Sequence, residues 1–153
     1  MPDDSRPVDP PLPIEVAIAA IWRESGAGTI EVLVQRRPDD VPRGGVLELP
    51  GGKIERDETP IEAARREVRE ELSIAVGDGA IYGTERDFDP SQRAERHVRV
   101  TGVAFRWHGD EIDEARASAR GARWMALHDF DAHDWPRANE ALNRALRRSL
   151  PGS

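Results

Sequence analysis

Residues 14–22, IEVAIAAIW, are apolar almost without a break, the pattern of a buried strand. A polar, glycine-bearing turn follows at 24–28. Residues 29–36, TIEVLVQR, then alternate, with Ile30, Val32 and Val34 on one face, so the two segments predict a hairpin. Residues 46–49 predict a short strand leading through Pro50 into a Gly51, Gly52 turn, where glycine lets the backbone pass close to a ligand. The period then changes. Ile61, Ala64, Val68 and Leu72 recur at helical spacing and form a narrow apolar stripe over residues 60–72. Beyond it, residues 74–76 and 80–84 predict strands around Gly77, Asp78 and Gly79, 87–96 a polar loop, and 97–107 a strand carrying Val98, Val100 and Val103. Arg123, Trp124 and Met125 predict another short strand. Asp134, Trp135 and Pro136 lead into a last helix reaching about Leu150, with Leu142, Ala145, Leu146 and Leu150 as its core face. The order of strands, helix, strands, helix predicts an α+β chain with helices on a mixed sheet.

The helix at 60–72 has complete entry signals. Thr59 is placed to cap it, Pro60 suits the first position, where no N–H is needed, and Glu62 can close a capping box. Residues 1–13, with five prolines and three aspartates, predict an extended or disordered arm, which leaves 14–150 as one domain.

The net charge of −7 and the lack of any basic tract argue against a nucleic-acid or membrane surface. The chain has no cysteine, which excludes disulfides, thiolate metal sites and cysteine nucleophiles. No apolar run approaches the roughly 18 residues of a membrane span, and no hydrophobic signal core stands at the N-terminus, so a soluble cytoplasmic protein is expected.

The chemistry concentrates on residues 51–74, GGKIERDETPIEAARREVREELSI. Glu67, Glu70 and Glu71 share one arc of the helix, and Glu67 and Glu71 are like charges one turn apart, which costs an isolated helix roughly 0.2–0.5 kcal/mol. Such an arc is either a solvated, salt-bridged face or a hard-oxygen surface of the kind Mg2+ takes together with substrate phosphate oxygens. Spacing decides between them. Gly52, Glu58, Arg66, Glu67, Val68, Glu70, Glu71 and Ile74 fall in the register of Gly-x5-Glu-x7-Arg-Glu-U-x-Glu-Glu-x-Gly-U, with U a bulky aliphatic residue. This resembles the Nudix box. Ser73 departs from it, standing where the pattern has the glycine of a left-handed turn at the helix end.

Over about residues 14–146 the chain is also similar to the MutT-type branch of that family, which hydrolyses nucleoside triphosphates, 8-oxo-dGTP among them. The Arg36, Arg37 pair, the LELPGGKIE segment at 47–55 and the run Trp135, Pro136, Arg137, Ala138, Asn139, Glu140 carry the likeness. The resemblance implies the Nudix fold, an α/β/α sandwich with a mixed β-sheet between helices. It implies Mg2+, with Mn2+ as a substitute, held by Glu67, Glu71 and the Gly51 carbonyl, with Glu70 as a further ligand or the general base. Arg66 would orient the glutamates and pair with Glu58. Arg37 would contact the bound nucleotide and Arg96 would close over the base. Asn139 would read it, since an amide offers both a donor and an acceptor; by its position alone, in the first turn of a helix, it serves either that or only the local backbone. Lys53 stands either for a phosphate contact or for a surface residue. Trp135 stands either for an apolar wall or for ordinary packing. MutT-type enzymes carry a downstream carboxylate where this chain has Ser118, and Glu111, Asp113 and Glu114 are the nearest replacements.

The implied reaction is attack of water on a nucleoside triphosphate, giving monophosphate and pyrophosphate. Two competitors stand beside it. One is hydrolysis of ADP-ribose or another nucleoside diphosphate derivative, and the other is a nucleotide-binding module without catalysis. The chain is expected as a monomer or homodimer.

Overall fold

The structure, a computed structural model, describes residues 12–37, 39–40, 44–88, 97–107, 109 and 121–150, without the side chain of Phe88. Residues 1–11 of the expected arm, most of the loop at 87–96, and the acidic stretch around Glu111, Asp113 and Glu114 lie outside them. So do Arg96 and Ser118.

Seven strands form one sheet among the described residues: β1 (Ile14–Glu24), β2 (Ile30–Arg36), β3 (Leu47–Glu48), β4 (Gly51–Lys53), β5 (Gly79–Phe88), β6 (His97–Arg106) and β7 (Arg123–Ala126). Their order is β3-β2-β1-β6-β5, with β4 also paired to β1 and β7 to β2. The β1–β6 pair is parallel and the others are antiparallel, so the sheet is mixed as expected.

The apolar run of β1 lies at the centre of this sheet. Side chains along a strand alternate between faces, and here Ala17, Ala19 and Ile21 enter one core while Ile18, Ala20 and Trp22 enter the other. Helix α1 (Pro60–Leu72) covers the first face with Ala63, Ala64, Val68 and Leu72. Helix α2 (Arg137–Ser149) covers the second with Ala138, Leu142 and Leu146. Val68 and Leu72 are fully buried, each removing apolar surface worth about 1.5–3 kcal/mol. Helices on a mixed sheet are what the order of elements predicted, and the sandwich is the arrangement the family resemblance implied. None of the described helices is long and apolar enough to cross a membrane.

Four local expectations change. Gly51 and Gly52 form no turn, because they lie in β4, paired with Ile18 and Ala17 of β1. Glycine is depleted in strands, which hides β4 from a local reading. What requires glycine there is close approach: a Cβ on Gly51 would sit 2.2 Å from the Ala17 carbonyl oxygen. Residues 74–76 are not a strand; Ile74 is buried as the chain leaves α1. Strand β5 instead runs on through Asp87 and Phe88, where the sequence predicts the start of a loop. A 3-10 helix (Leu127–Ala132) that local periodicity did not reveal packs Leu127 and Phe130 into the α2-side core.

Candidate active site

The N-terminus of α1 is closed as its sequence predicts. Thr59 Oγ1 accepts from the Glu62 N–H at 3.1 Å, and Glu62 Oε1 accepts from the Thr59 N–H at 3.1 Å. This box fixes the phase of the helix and hence the directions in which Arg66, Glu67, Glu70 and Glu71 emerge. At the other end Ser73 takes the left-handed conformation itself, at φ 56° and ψ 29°, with its N–H donating to the Arg69 carbonyl. The departure from glycine thus leaves the helix end in place and loads the strain on one residue.

Arg66 is the hub of the site. Its Nε and Nη2 donate to the two carboxylate oxygens of Glu58 at 2.8 and 3.0 Å, a bidentate pair. Nη1 donates to Glu67 at 2.9 Å and to Glu70 at 3.3 Å, and lies 3.7 Å from Glu55. Nη2 also donates to the Lys53 carbonyl at 3.0 Å, which ties α1 to β4. The Arg66 hydrogen bonds, and after them the Glu55 N–H, hold the Glu58 carboxyl below its ordinary range. Reciprocally, Glu58 is the largest cause of a raised pKa for Arg66. One guanidinium therefore faces four carboxylates, and the cluster keeps an excess of negative charge.

The three glutamates of the arc have different surroundings. Glu67 lies against β4: a Cβ on Gly52 would fall 2.4 Å from Glu67 Oε1, so only glycine leaves room for this carboxylate. Glu71 turns toward the sheet, where Gln35 Nε2 donates to its Oε2 at 3.4 Å. Glu70 is the most open, with its side chain 60% exposed. Carboxylate oxygens beside glycine backbone, with negative charge to spare, are donors of the kind a hard divalent cation takes. Among the described residues no three such side chains stand together in ligating geometry. In this structure Arg66 and Gln35 hold them.

The other expected site residues divide between two places. Arg37 Nη1 donates to Glu48 at 3.1 Å, beside the Gln35–Glu48 pairing of β2 with β3, on the same sheet end as Glu71. The Lys53 side chain is exposed, and Gly51 sits in β4 next to Gly52. Asn139 lies elsewhere, in the first turn of α2 on the opposite face of the sheet, and is only 7% exposed. Its backbone N–H donates to the Pro136 carbonyl, while its side-chain amide makes no hydrogen bond among the described residues. β3 joins the two places, because the Leu47 N–H donates to the Asp134 carbonyl just ahead of α2. Trp135 is packing: it is buried against Phe130 with ring centroids 4.7 Å apart, and its indole N–H donates to the Phe130 carbonyl at 2.8 Å.

Three residues with unused polar atoms were missed by sequence reasoning. Among the described residues Gln35 Oε1, Asn143 Oδ1 and the Tyr82 hydroxyl are buried without a hydrogen-bond partner. A polar side chain directly after the apolar run Val32, Leu33 and Val34 was the available signal for Gln35. Asn143, one turn beyond Asn139, carries the same signal on an otherwise apolar helix stripe.

A model of the NUDIX domain matches residues 11–146. An 8-oxo-dGTP diphosphatase from Escherichia coli (strain K12) is 31% identical over 137 residues, covering 88% of this chain and 97% of that protein. A CTP pyrophosphohydrolase from the same strain is 41% identical over 133 residues, covering 87% and 82%. Among solved structures, the MutT protein from Methanosarcina mazei Go1 matches with a TM-score of 0.66 at 23% identity, covering 93% of this chain and 97% of that one. The Ap4A hydrolase of C. elegans matches with a TM-score of 0.64 at 20% identity, covering 91% and 99%. At those identities the two structures speak for the fold. Because the family model spans nearly the whole of the sheet and both helices, this chain belongs to the Nudix family of hydrolases.

Proposed function

We propose that this protein is a cytoplasmic nucleoside triphosphate pyrophosphohydrolase that works with Mg2+, or with Mn2+ in its place, and releases nucleoside monophosphate and pyrophosphate. Nudix hydrolases generally use divalent metal ions and act on phosphoanhydride bonds. The observation that carries the reading is the Arg66 hub, which gathers Glu58, Glu67 and Glu70 beside the Gly52 backbone.

In this reading Glu67, Glu71 and the Gly51 carbonyl hold the ion. When bound it neutralises polyphosphate charge, acidifies water and stabilises the leaving group. Glu70, open to solvent, takes the proton of the attacking water or completes the ligand set. Arg66, fixed by Glu58, keeps Glu67 and Glu70 from drifting and so limits the reorganisation needed in the transition state. Arg37 and Lys53 meet phosphate oxygens, and Arg96 closes over the base. Asn139 reads the base edge with an amide that makes no hydrogen bond among the described residues, which favours a substrate that presents a base at that place.

The relatives include enzymes named for 8-oxo-dGTP and for CTP, so both belong in the test. The purified chain with Mg2+ is incubated with each nucleoside triphosphate, 8-oxo-dGTP, ADP-ribose and dinucleoside polyphosphates, and the products are separated. Monophosphate with pyrophosphate from a triphosphate is expected. Cleavage confined to ADP-ribose would favour the competing hydrolase, and binding without cleavage of anything would make this a module. Asn139→Leu should lower kcat/KM for the preferred base about tenfold or more, the scale of one lost hydrogen bond to a buried partner, and should flatten the preference among bases.

A further inference from the structure

Gln35 is placed at a cost to the fold. It lies on the α1 side of β2 in the same phase as Leu33 and the half-buried Glu31, is 5% exposed, and stands one residue before the end of the strand, next to the fully buried Val34. Its Nε2 donates to Glu71 Oε2 at 3.4 Å, which is long for an amide and a carboxylate, and its Oε1 is buried with no partner among the described residues. The amide cannot simply be reversed, because that would set Oε1 against the Glu71 carboxylate. A buried acceptor left unpaired destabilises a protein, whereas an apolar side chain of the same length would not. A residue kept on those terms at that contact has work outside the core.

Resting on the reading of Glu71 as a ligand, we infer that Gln35 is a positioning residue for the metal site: its N–H holds one oxygen of Glu71, and its orphaned Oε1 accepts a hydrogen bond from a water carried by the ion. Mg2+ usually retains several of its waters, and their hydrogens point outward to such acceptors. Partners in this outer layer orient ligands, and losing one typically lowers metal affinity 10–100-fold. Gln35 touches no substrate in this scheme. It acts through Glu71 and through the water.

The test compares the full-length chain with Gln35→Met and Glu71→Gln. Binding of Mn2+ to the substrate-free protein is followed by the loss of the free-ion resonance, and melting is measured without metal. Gln35→Met is expected to melt at or above the parent temperature, because it removes an unpaired buried acceptor. It should nevertheless need about tenfold more Mn2+ for half-saturation. Turnover by this variant should recover at high Mg2+, so that the metal requirement moves further than kcat. Glu71→Gln should lose the binding outright. Unchanged Mn2+ affinity in Gln35→Met overturns the inference. So does a variant that melts well below the parent or fails to fold, since that would assign Gln35 to the fold. Unchanged affinity in Glu71→Gln would instead remove Glu71 from the site, and the reading of the site would fail before the question of Gln35 arose.

Discussion

Gly52 and Glu67 share a space that holds only one side chain: a methyl group on residue 52 would lie 2.4 Å from Glu67 Oε1 and 2.6 Å from its carboxyl carbon. Gly52 has no left-handed backbone to explain it, so the contact explains why glycine stands there. Gly52→Ala should therefore push the Glu67 carboxylate out of place while leaving the sheet paired. The expected result is a fall in Mg2+-dependent turnover of about tenfold or more, with a folded far-UV spectrum. Activity equal to the parent would mean that Glu67 has no fixed position to defend.

Glu67→Gln, Glu70→Gln and Glu71→Gln keep the size and one acceptor oxygen but exchange the other for a donor amide and remove the charge. If these carboxylates serve the ion and the attacking water, each change should lower kcat about 100-fold or more. Melting should shift little, within about 0.5 kcal/mol for the exposed Glu70. Steady-state rates at saturating Mg2+, measured on protein shown to be folded, decide this. Full activity in all three variants would leave the arc as an ordinary charged face.

The bidentate pair of Arg66 and Glu58 makes a prediction about pH. Glu58 has a folded pKa below its ordinary 4.5, held there first by Arg66 and then by the Glu55 N–H. A depressed carboxyl contributes stability that is fully present above the unfolded value and is lost as pH falls through the folded one. The stability gap between parent and Glu58→Gln should thus be constant from about pH 7 to about pH 5 and shrink below the ordinary glutamate range. Denaturant titrations across that window would show it; a gap that widened on acidification would contradict the assignment. Arg66→Lys, which cannot span both oxygens of Glu58, should lower turnover about tenfold or more at neutral pH.

Ser73 adopts a left-handed conformation at the end of α1. That costs an L-residue about 1–2 kcal/mol, against the smaller backbone entropy cost of glycine. Ser73→Gly should accordingly stabilise the chain by roughly 0.5–1 kcal/mol, read as a higher denaturation midpoint at unchanged slope. Loss of stability would show that the serine side chain does more at this cap than the backbone loses.

The limits of α1, the buried character of β1 and the spacing of Glu58, Arg66, Glu67, Glu70 and Glu71 were all legible in the amino-acid order, whereas the central place of β1 in the sheet was not. Each legible feature depends on signals acting within about a helical turn or along one strand: Thr59 with Glu62, the apolar stripe ending at Leu72, and an apolar run over 14–22. What the fold decided are relations between residues far apart in the chain. Gly51 and Gly52 became a strand because β1 offered Ala17 and Ile18 as ladder partners. Arg66 reached back 13 residues to the Lys53 carbonyl, and Gln35 met Glu71 across 36. Asn139 was set on the face opposite the glutamates, with β3 between them. Local propensity carries no record of such pairings, because their free energy exists only once the sheet has closed and excluded water from both sides.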